Sequence, residues 1–320
     1  MMIALMGGGS TLNTYLVDRL INKDIAVRCL IKDRTKALAM PFEIECTLGS
    51  PDNHASLEAF FRHADVALIY LPPSYNEARH GINALEVAKN SGVKKIVYLS
   101  SMMPWNSRHL PLFRNKVRIE EALRGLTIPY TILRPNFFFQ SLLYFEREIM
   151  KQGTYPFPIG CNGVSQVDLR DVAEAAFNAL TMADYNWKEY AICGPEALSG
   201  DDLSAILSDV LGKEIIYGGN DIRSWKEIAE TFMPGAIVEE WTKIFGFIQR
   251  GGLFPDADDM IKQREILRGA PLSFRDFAEE LAMIWKSREA AGLKTRVRQE
   301  KLYRAPSRRA RSVPYQQRHI

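Results

Sequence analysis

Residues 2–20 read MIALMGGGSTLNTYLVDRL, and the parse of this stretch decides the fold. Four apolar residues, Met2-Ile3-Ala4-Leu5, lead into three glycines, and an amphipathic segment with Leu12, Leu16, Val17 and Leu20 follows. A short run apolar on both faces suits a strand buried in a parallel sheet, and the leucine spacing marks one helical stripe. Strand, glycine turn and helix form the local context of a dinucleotide-binding turn with the pattern Gly-x-Gly-x-x-Gly. Laid from Gly7, the pattern finds Gly7 and Gly9 but Leu12 in third place. Gly7, Gly8 and Gly9 can still make the turn, while Ser10 and Thr11 stand where a helix start meets a phosphate. A glycine turn that holds no ligand is the competing reading.

The same alternation continues along the chain. Strands are expected at Met2–Met6, Ile25–Ile31, Glu43–Cys46, Val66–Leu71, Lys95–Ser100, Tyr130–Leu133 and Tyr190–Cys193. Helices are expected at Thr11–Asn22, Ser56–Arg62, Tyr75–Ser91, Arg114–Arg124, Phe137–Gln152, Val172–Met182 and Asp201–Leu211. Asp171 and Ser199 are candidate helix caps. Apolar strands separated by helices give an α/β fold, a doubly wound parallel sheet of Rossmann type with ligands at the strands' carboxyl ends. After about Tyr155 the pattern thins to helices and one late strand, as expected of a smaller C-terminal substrate cap. The organisation read from the chain is a nucleotide-binding domain over residues 1–155, a substrate region over 156–286 partly interleaved with the sheet, and a tail over 287–320.

Composition narrows the classes. The chain has 320 residues, 47% of them hydrophobic and 25% charged, as in a globular protein with a full core. No apolar run is long enough to span a bilayer, and the four cysteines show no CxxC pair, so a cytoplasmic protein with reduced thiols is expected. The net charge of +3 is uneven. Ten Lys or Arg face two acids from Ser287 to Ile320, leaving a net acidic body. Such a tail reads as a disordered extension, and no nucleic-acid motif accompanies it. The five histidines, His109 included, show no metal-ligand spacing, so no metal is expected. No GxSxG elbow supports serine hydrolysis.

Several ordered segments resemble one family. They are MGGGSTLN, VRCLIKDRTKA (27–37), SGVKKIVYLSS (91–101), LFRNKVRIEEALRGLTIPYTILRPNFFFQ (112–140), VDLRDVAEAA (167–176), YAICGPEALSGDDLSAILSDVLGKEI (190–215) and LRGAPLSFRDFAEELAMIW (267–285). Together they are similar to the NmrA-like branch of atypical short-chain dehydrogenases, which includes isoflavone-reductase-type enzymes, quinone and azo reductases, and NADP-sensing regulators. The family's GxxGxxG falls on Gly7, Ser10 and Asn13, so only the first glycine survives in that register, and Asn13 is expected to push the helix outward. The resemblance places Lys32 where the family has an arginine for the 2′-phosphate, with Arg34 and Lys36 beside it. This implies NADP(H) in preference to NAD(H), which Asp33 leaves open. The short-chain Tyr-x-x-x-Lys motif is broken, with Leu112 in the tyrosine's place and Lys116 matching the lysine.

Isoflavone-reductase-type members keep that lysine without the tyrosine, and in them it is the proton-transfer group. The resemblance therefore gives Lys116 this role, or contact to the nicotinamide ribose, against a surface lysine on a helix with Arg114 and Arg118. Leu71, Pro72, Ser100, Pro135, Asn136 and Phe137 follow strand ends and are expected along the cofactor. Met102, Met103, Trp105, Phe138, Tyr155 and Phe157 are expected as an apolar wall for a small aromatic substrate. The function implied is hydride transfer from NAD(P)H to a quinone-like, imine or conjugated substrate. Its counterpart is a non-catalytic NADP(H) sensor acting through a protein partner, and a homodimer is also left open.

Overall fold

The computed structural model describes residues 1–7 and 10–291. Seven strands form one parallel sheet: β1 (Met2–Leu5), β2 (Ala26–Ile31), β3 (Ile44–Leu48), β4 (Val66–Ile69), β5 (Lys95–Leu99), β6 (Tyr130–Pro135) and β8 (Lys188–Ile192). Their order is β3-β2-β1-β4-β5-β6-β8. The chain moves outward from β1 to β3, then returns to pair β4 with the other side of β1. This reversal opens the crevice at which doubly wound sheets bind ligands.

Alternation along each strand sends side chains to opposite faces. Ile3 and Leu5 join Leu12, Leu16 and Leu20 of α1 (Thr11–Ile21) and the alanine-rich stripe of α7 (Leu169–Thr181). Ala4 and Met6 face the other way, onto α3 (His54–Phe61), α4 (Glu77–Asn90) and α5 (Pro111–Arg124). A short α2 (Arg34–Leu38) follows β2, where the sequence reading placed no helix. Beyond residue 155 the chain returns to the sheet with α7 against its face and β8 at its edge.

The cap gathers α6 (Glu146–Gln152), the two-residue strands β7 (Thr154–Tyr155) and β9 (Ile216–Tyr217), and α8 (Gly200–Leu211). With them pack α9 (Ile222–Ala229), α10 (Gly235–Gly251) and α12 (Phe274–Ala290), while α11 (Ala257–Leu267) leans on β8 and α7. Their shared core includes Phe139, Phe145, Tyr155, Trp225, Phe245 and Trp285.

Two local expectations are corrected. The single helix expected over Phe137–Gln152 is extended at its start, then a 3-10 turn over Phe139–Phe145, and only then α6. Val167 donates to the Phe137 carbonyl (2.7 Å) and Phe139 donates to that of Val167 (3.0 Å), so pairing with a distant segment overrides helix propensity. The cap of α7 is Asp168, which accepts from the Arg170 N–H (2.8 Å), while Asp171 accepts from the Leu272 N–H (2.7 Å). Ser199 caps α8 as expected, in a full capping box with Asp202. The tail reading falls almost wholly on residues 292–320, outside the described residues.

Candidate functional site

The carboxyl ends of β4, β5 and β6 open onto a cavity of about 590 Å³. Its floor is Leu71, Pro72 and Pro73 after β4, Ser100 after β5, and Asn136 after β6. Its wall is aromatic: Phe137 packs edge-on against Trp241 (5.1 Å), Trp225 against Phe245 (4.7 Å), and Tyr144 stacks on Phe232 (4.8 Å). Tyr75 ties the body to the cap by donating to the Ala236 carbonyl (3.2 Å). Among the described residues lining this cavity, Lys116 is the one that carries a formal charge.

A second cavity of about 380 Å³ lies at the start of α1, lined by Ser10, Thr11 and Lys36 among others. Tyr70, Phe138, Ser141 and Tyr144 line both spaces, so the helix start and the aromatic chamber are neighbours across one wall.

The glycine turn is built for close approach. Gly7 has φ +84°, and a Cβ there would lie 3.0 Å from both the carbonyl oxygen and the ring of Tyr70. Ser10 accepts from the Asn13 N–H (3.3 Å) as the cap of α1, whose first turn holds no acid to repel an anion. Asn13, in the family's third glycine position, is fully buried and donates to the Met6 carbonyl (3.4 Å), but its Oδ1 has no hydrogen-bond partner. Lys32 and Arg34 stand exposed beyond β2. Asp33 accepts from the Thr35 N–H (2.7 Å) to cap α2, which turns its carboxylate to the backbone rather than outward. Gly8 and Gly9 lie outside the described residues. The donors present, a backbone turn with a positive helix end and two exposed cations, fit the pyrophosphate and the phosphorylated ribose of NADP(H).

The remaining expected residues divide. Leu71, Pro72, Ser100, Lys116, Pro135, Asn136, Phe137, Phe138 and Phe157 come together around the large cavity. Met102, Met103, Trp105 and Tyr155 are not among its lining residues. Met102 faces inward, its sulfur 3.0 Å from that of Cys193. Met103 packs on the cap core. Trp105 is 91% exposed. Tyr155 is fully buried, its phenol accepting from Gln166 Nε2 (3.3 Å). His109 is exposed, edge-on to Phe247 (5.7 Å).

Ser100 donates from its Oγ to Glu120 Oε1 (2.7 Å), which also receives Arg134. Burial pushes the Glu120 carboxyl up, but Arg134, Ser100 and Arg124 outweigh it and hold the group below its ordinary value. Burial, with the charge of Glu77 second, pushes the Tyr70 phenol up to about 12.

Lys116 is the decisive placement. It is buried, and its Nζ donates to Glu77 Oε1 at 2.8 Å. Glu77 was absent from the sequence-level candidates, since an acid in a helix's first turn reads as a complement to the helix dipole. Trp225, Phe232, Trp241 and Phe245 were also missed, because nothing local aims the aromatic residues of α9, α10 and the turn between them at the strand ends. Among the described residues no group of three or more His, Cys, Asp or Glu is placed to hold a metal, and no helix is long and apolar enough to cross a membrane.

Residues 1–279 match the model of the NmrA-like family. The chain belongs to the NmrA-like family. A curated relative, an NAD(P)H azoreductase of Xenophilus azovorans, is 24% identical over 246 residues, spanning 76% of this chain and 86% of its own. Among solved structures, the Citrobacter triphenylmethane reductase complexed with NADP(H) superimposes with TM-score 0.76 at 22% identity, over 88% of this chain and all of that one. NmrA, a negative transcriptional regulator in complex with NADP, superimposes with TM-score 0.70 at 19% identity, over 92% of this chain and 98% of its own. The likeness to these structures is one of fold. In this NmrA-like chain, as in any, function must be argued from the site.

Proposed function

We propose that this NmrA-like protein is an NADP(H)-dependent reductase of small, flat, uncharged aromatic or conjugated molecules such as quinones, imines or azo compounds. The observation that carries the reading is the aromatic chamber of about 590 Å³ with one buried lysine in its wall, beside a helix start suited to a pyrophosphate. Reductases among its relatives support it. A pure sensor needs the nucleotide site but has no need of a large apolar chamber at the carboxyl ends of β4, β5 and β6.

The turn at Gly7 and the N–H groups at the start of α1 would hold the pyrophosphate, and Lys32 and Arg34 the 2′-phosphate. Bound NADPH supplies the hydride. The chain's own residues do the rest. Phe137, Trp241 and their neighbours flatten the substrate and exclude water, which strengthens every charge interaction inside. Lys116 Nζ is the acid: its N–H bond breaks, the proton joins the substrate's nitrogen or oxygen as the hydride arrives, and the neutral amine regains a proton from solvent.

Parallel calorimetric titration with NADPH and NADH, followed by NADPH oxidation against a panel of neutral quinones and azo dyes, tests this. NADPH-preferring binding with turnover is expected. Tight binding without turnover on any acceptor would favour the sensor reading, and absence of binding by folded protein would overturn both.

A further inference from the structure

The reductase reading places one amine in an apolar chamber, and a carboxylate on the neighbouring helix stands against it. Glu77 opens α4, and its side chain is 0% exposed; the Lys116 side chain facing it from α5 is 8% exposed. Three contacts hold the two in register. The Ser74 carbonyl accepts both the Glu77 N–H (3.1 Å) and the Asn115 side-chain amide (3.0 Å), so the loop before α4 grips the residue adjoining Lys116. One turn further along, a Cβ at Gly81 would lie 2.5 Å from Ile119. The absence of a side chain at Gly81 lets α4 and α5 close together, and α4 residues 77 and 81 thereby meet α5 residues 116 and 119.

Glu77 is otherwise in apolar or neutral company. Its Oε2 is buried without a hydrogen-bond partner. Two phenols sense its charge, Tyr70 after β4 and Tyr98 on β5, and both are pushed up, by burial first and by Glu77 next. Glu120 lies one turn beyond Lys116 but is engaged by Arg134, Arg124 and Ser100. The Glu77 carboxyl is itself pushed up by burial, with Lys116 opposing.

We propose that Glu77 is the positioning residue of the reaction: it fixes the Lys116 amine in the wall of the chamber and keeps it in the ammonium form that can give up a proton. The proposal rests on the reductase reading. An amine buried alone beside aromatic rings favours its neutral form, and an adjoining carboxylate reverses that preference. The pair is also neutral overall, so the chamber presents a proton donor without a net charge.

The test uses the full chain as wild type, E77Q and E77D. Each is treated with an amine-acetylating ester across a range of pH, and acetylation of Lys116 is measured by mass spectrometry against the exposed Lys23. In E77Q, Lys116 should label faster relative to Lys23 by about tenfold near neutral pH, with the advantage shrinking as pH rises. E77D, which keeps the charge but draws it back by one methylene, should fall between. A structural role alone would loosen the site and raise labelling in parallel at every pH, or leave it unchanged, and either result overturns the proposal. Should E77Q fail to fold, an E77D profile superimposable on wild type overturns it.

In turnover, the alkaline limb of kcat with NADPH and menadione should move to lower pH in E77Q, while NADPH affinity stays near wild type. If the wild type shows no NADPH oxidation with any of the acceptors offered while the labelling contrast persists, the reductase reading fails and the hold of Glu77 on Lys116 stands.

Discussion

Replacing Gly7 by alanine tests the turn where the sequence and the fold meet. The backbone there sits at φ +84°, which an L side chain enters at a cost of about 1–2 kcal/mol. A second cost comes from crowding, since the added Cβ would stand 3.0 Å from the Tyr70 carbonyl oxygen. That oxygen belongs to the backbone directly after β4 and has little room to withdraw, so overpacking adds about 1–2 kcal/mol. The sum is about 2–4 kcal/mol, which lowers Tm by about 3–6 °C in a chain of this size.

Gly92→Ala is the control. Gly92 has φ +81°, but an added Cβ there would meet nothing within 4 Å, so this variant isolates the conformational cost. Thermal unfolding of the three proteins should rank wild type, G92A, then G7A. Calorimetry should show NADPH affinity falling in G7A alone, by about tenfold for each 1.4 kcal/mol of strain that the bound turn must absorb. If G7A is no less stable than G92A and binds NADPH like wild type, the turn is neither tight nor a phosphate seat.

Two further outcomes are expected. Glu120→Gln strips the shared acceptor from Arg134, Arg124 and Ser100, and should cost about 2–4 kcal/mol in urea unfolding at pH 7. Because the Glu120 and Glu189 carboxyls are held below their ordinary values, their stabilisation is present above the unfolded value of about 4.3 and is lost as pH falls through the folded one. E120Q should therefore flatten the acid limb of stability, and a limb unchanged from wild type would show that the network is not its source. Lys32→Ala should weaken NADPH more than NADH in parallel titrations, and a matched loss for both would remove Lys32 from the 2′-phosphate site.

Much of the sheet was legible because its strands are apolar on both faces, as in Val66–Ile69, and its helices carry side-chain caps, as at Ser10 and Ser199. Strand ends then located Pro72, Ser100 and Asn136 along the crevice without any knowledge of tertiary contacts. What local pattern could not supply was direction. Met102 and Trp105 share a soft, aromatic loop, yet one turns into the core toward Cys193 and the other into solvent. Phe137 and Phe138, expected at the site, do line the chamber while Phe139 turns to the core, and it is the pairing of this segment with Val167 rather than a helix that sets those directions. Glu77 was hidden for a related reason: its meaning comes from a lysine 39 residues away.

That hidden partner bears on the broken Tyr-x-x-x-Lys motif. In a tyrosine-based site the lysine lowers the proton affinity of a phenol, and the phenol meets the substrate. Here Leu112 is buried where the tyrosine would stand, and Lys116 faces the chamber directly. An ammonium is a strong donor but a costly one to bury alone, so losing the tyrosine shifts the electrostatic burden onto whatever faces the lysine from the next helix. Glu77 carries it, with Gly81 and Asn115 keeping the two helices close enough for the pair to form. The same neutral pairing argues for the substrate class, because a chamber lined by rings, amides and one lysine balanced by a carboxylate behind it gains nothing from an anionic guest. An uncharged, flat acceptor keeps the pair intact until the moment its own atom becomes basic.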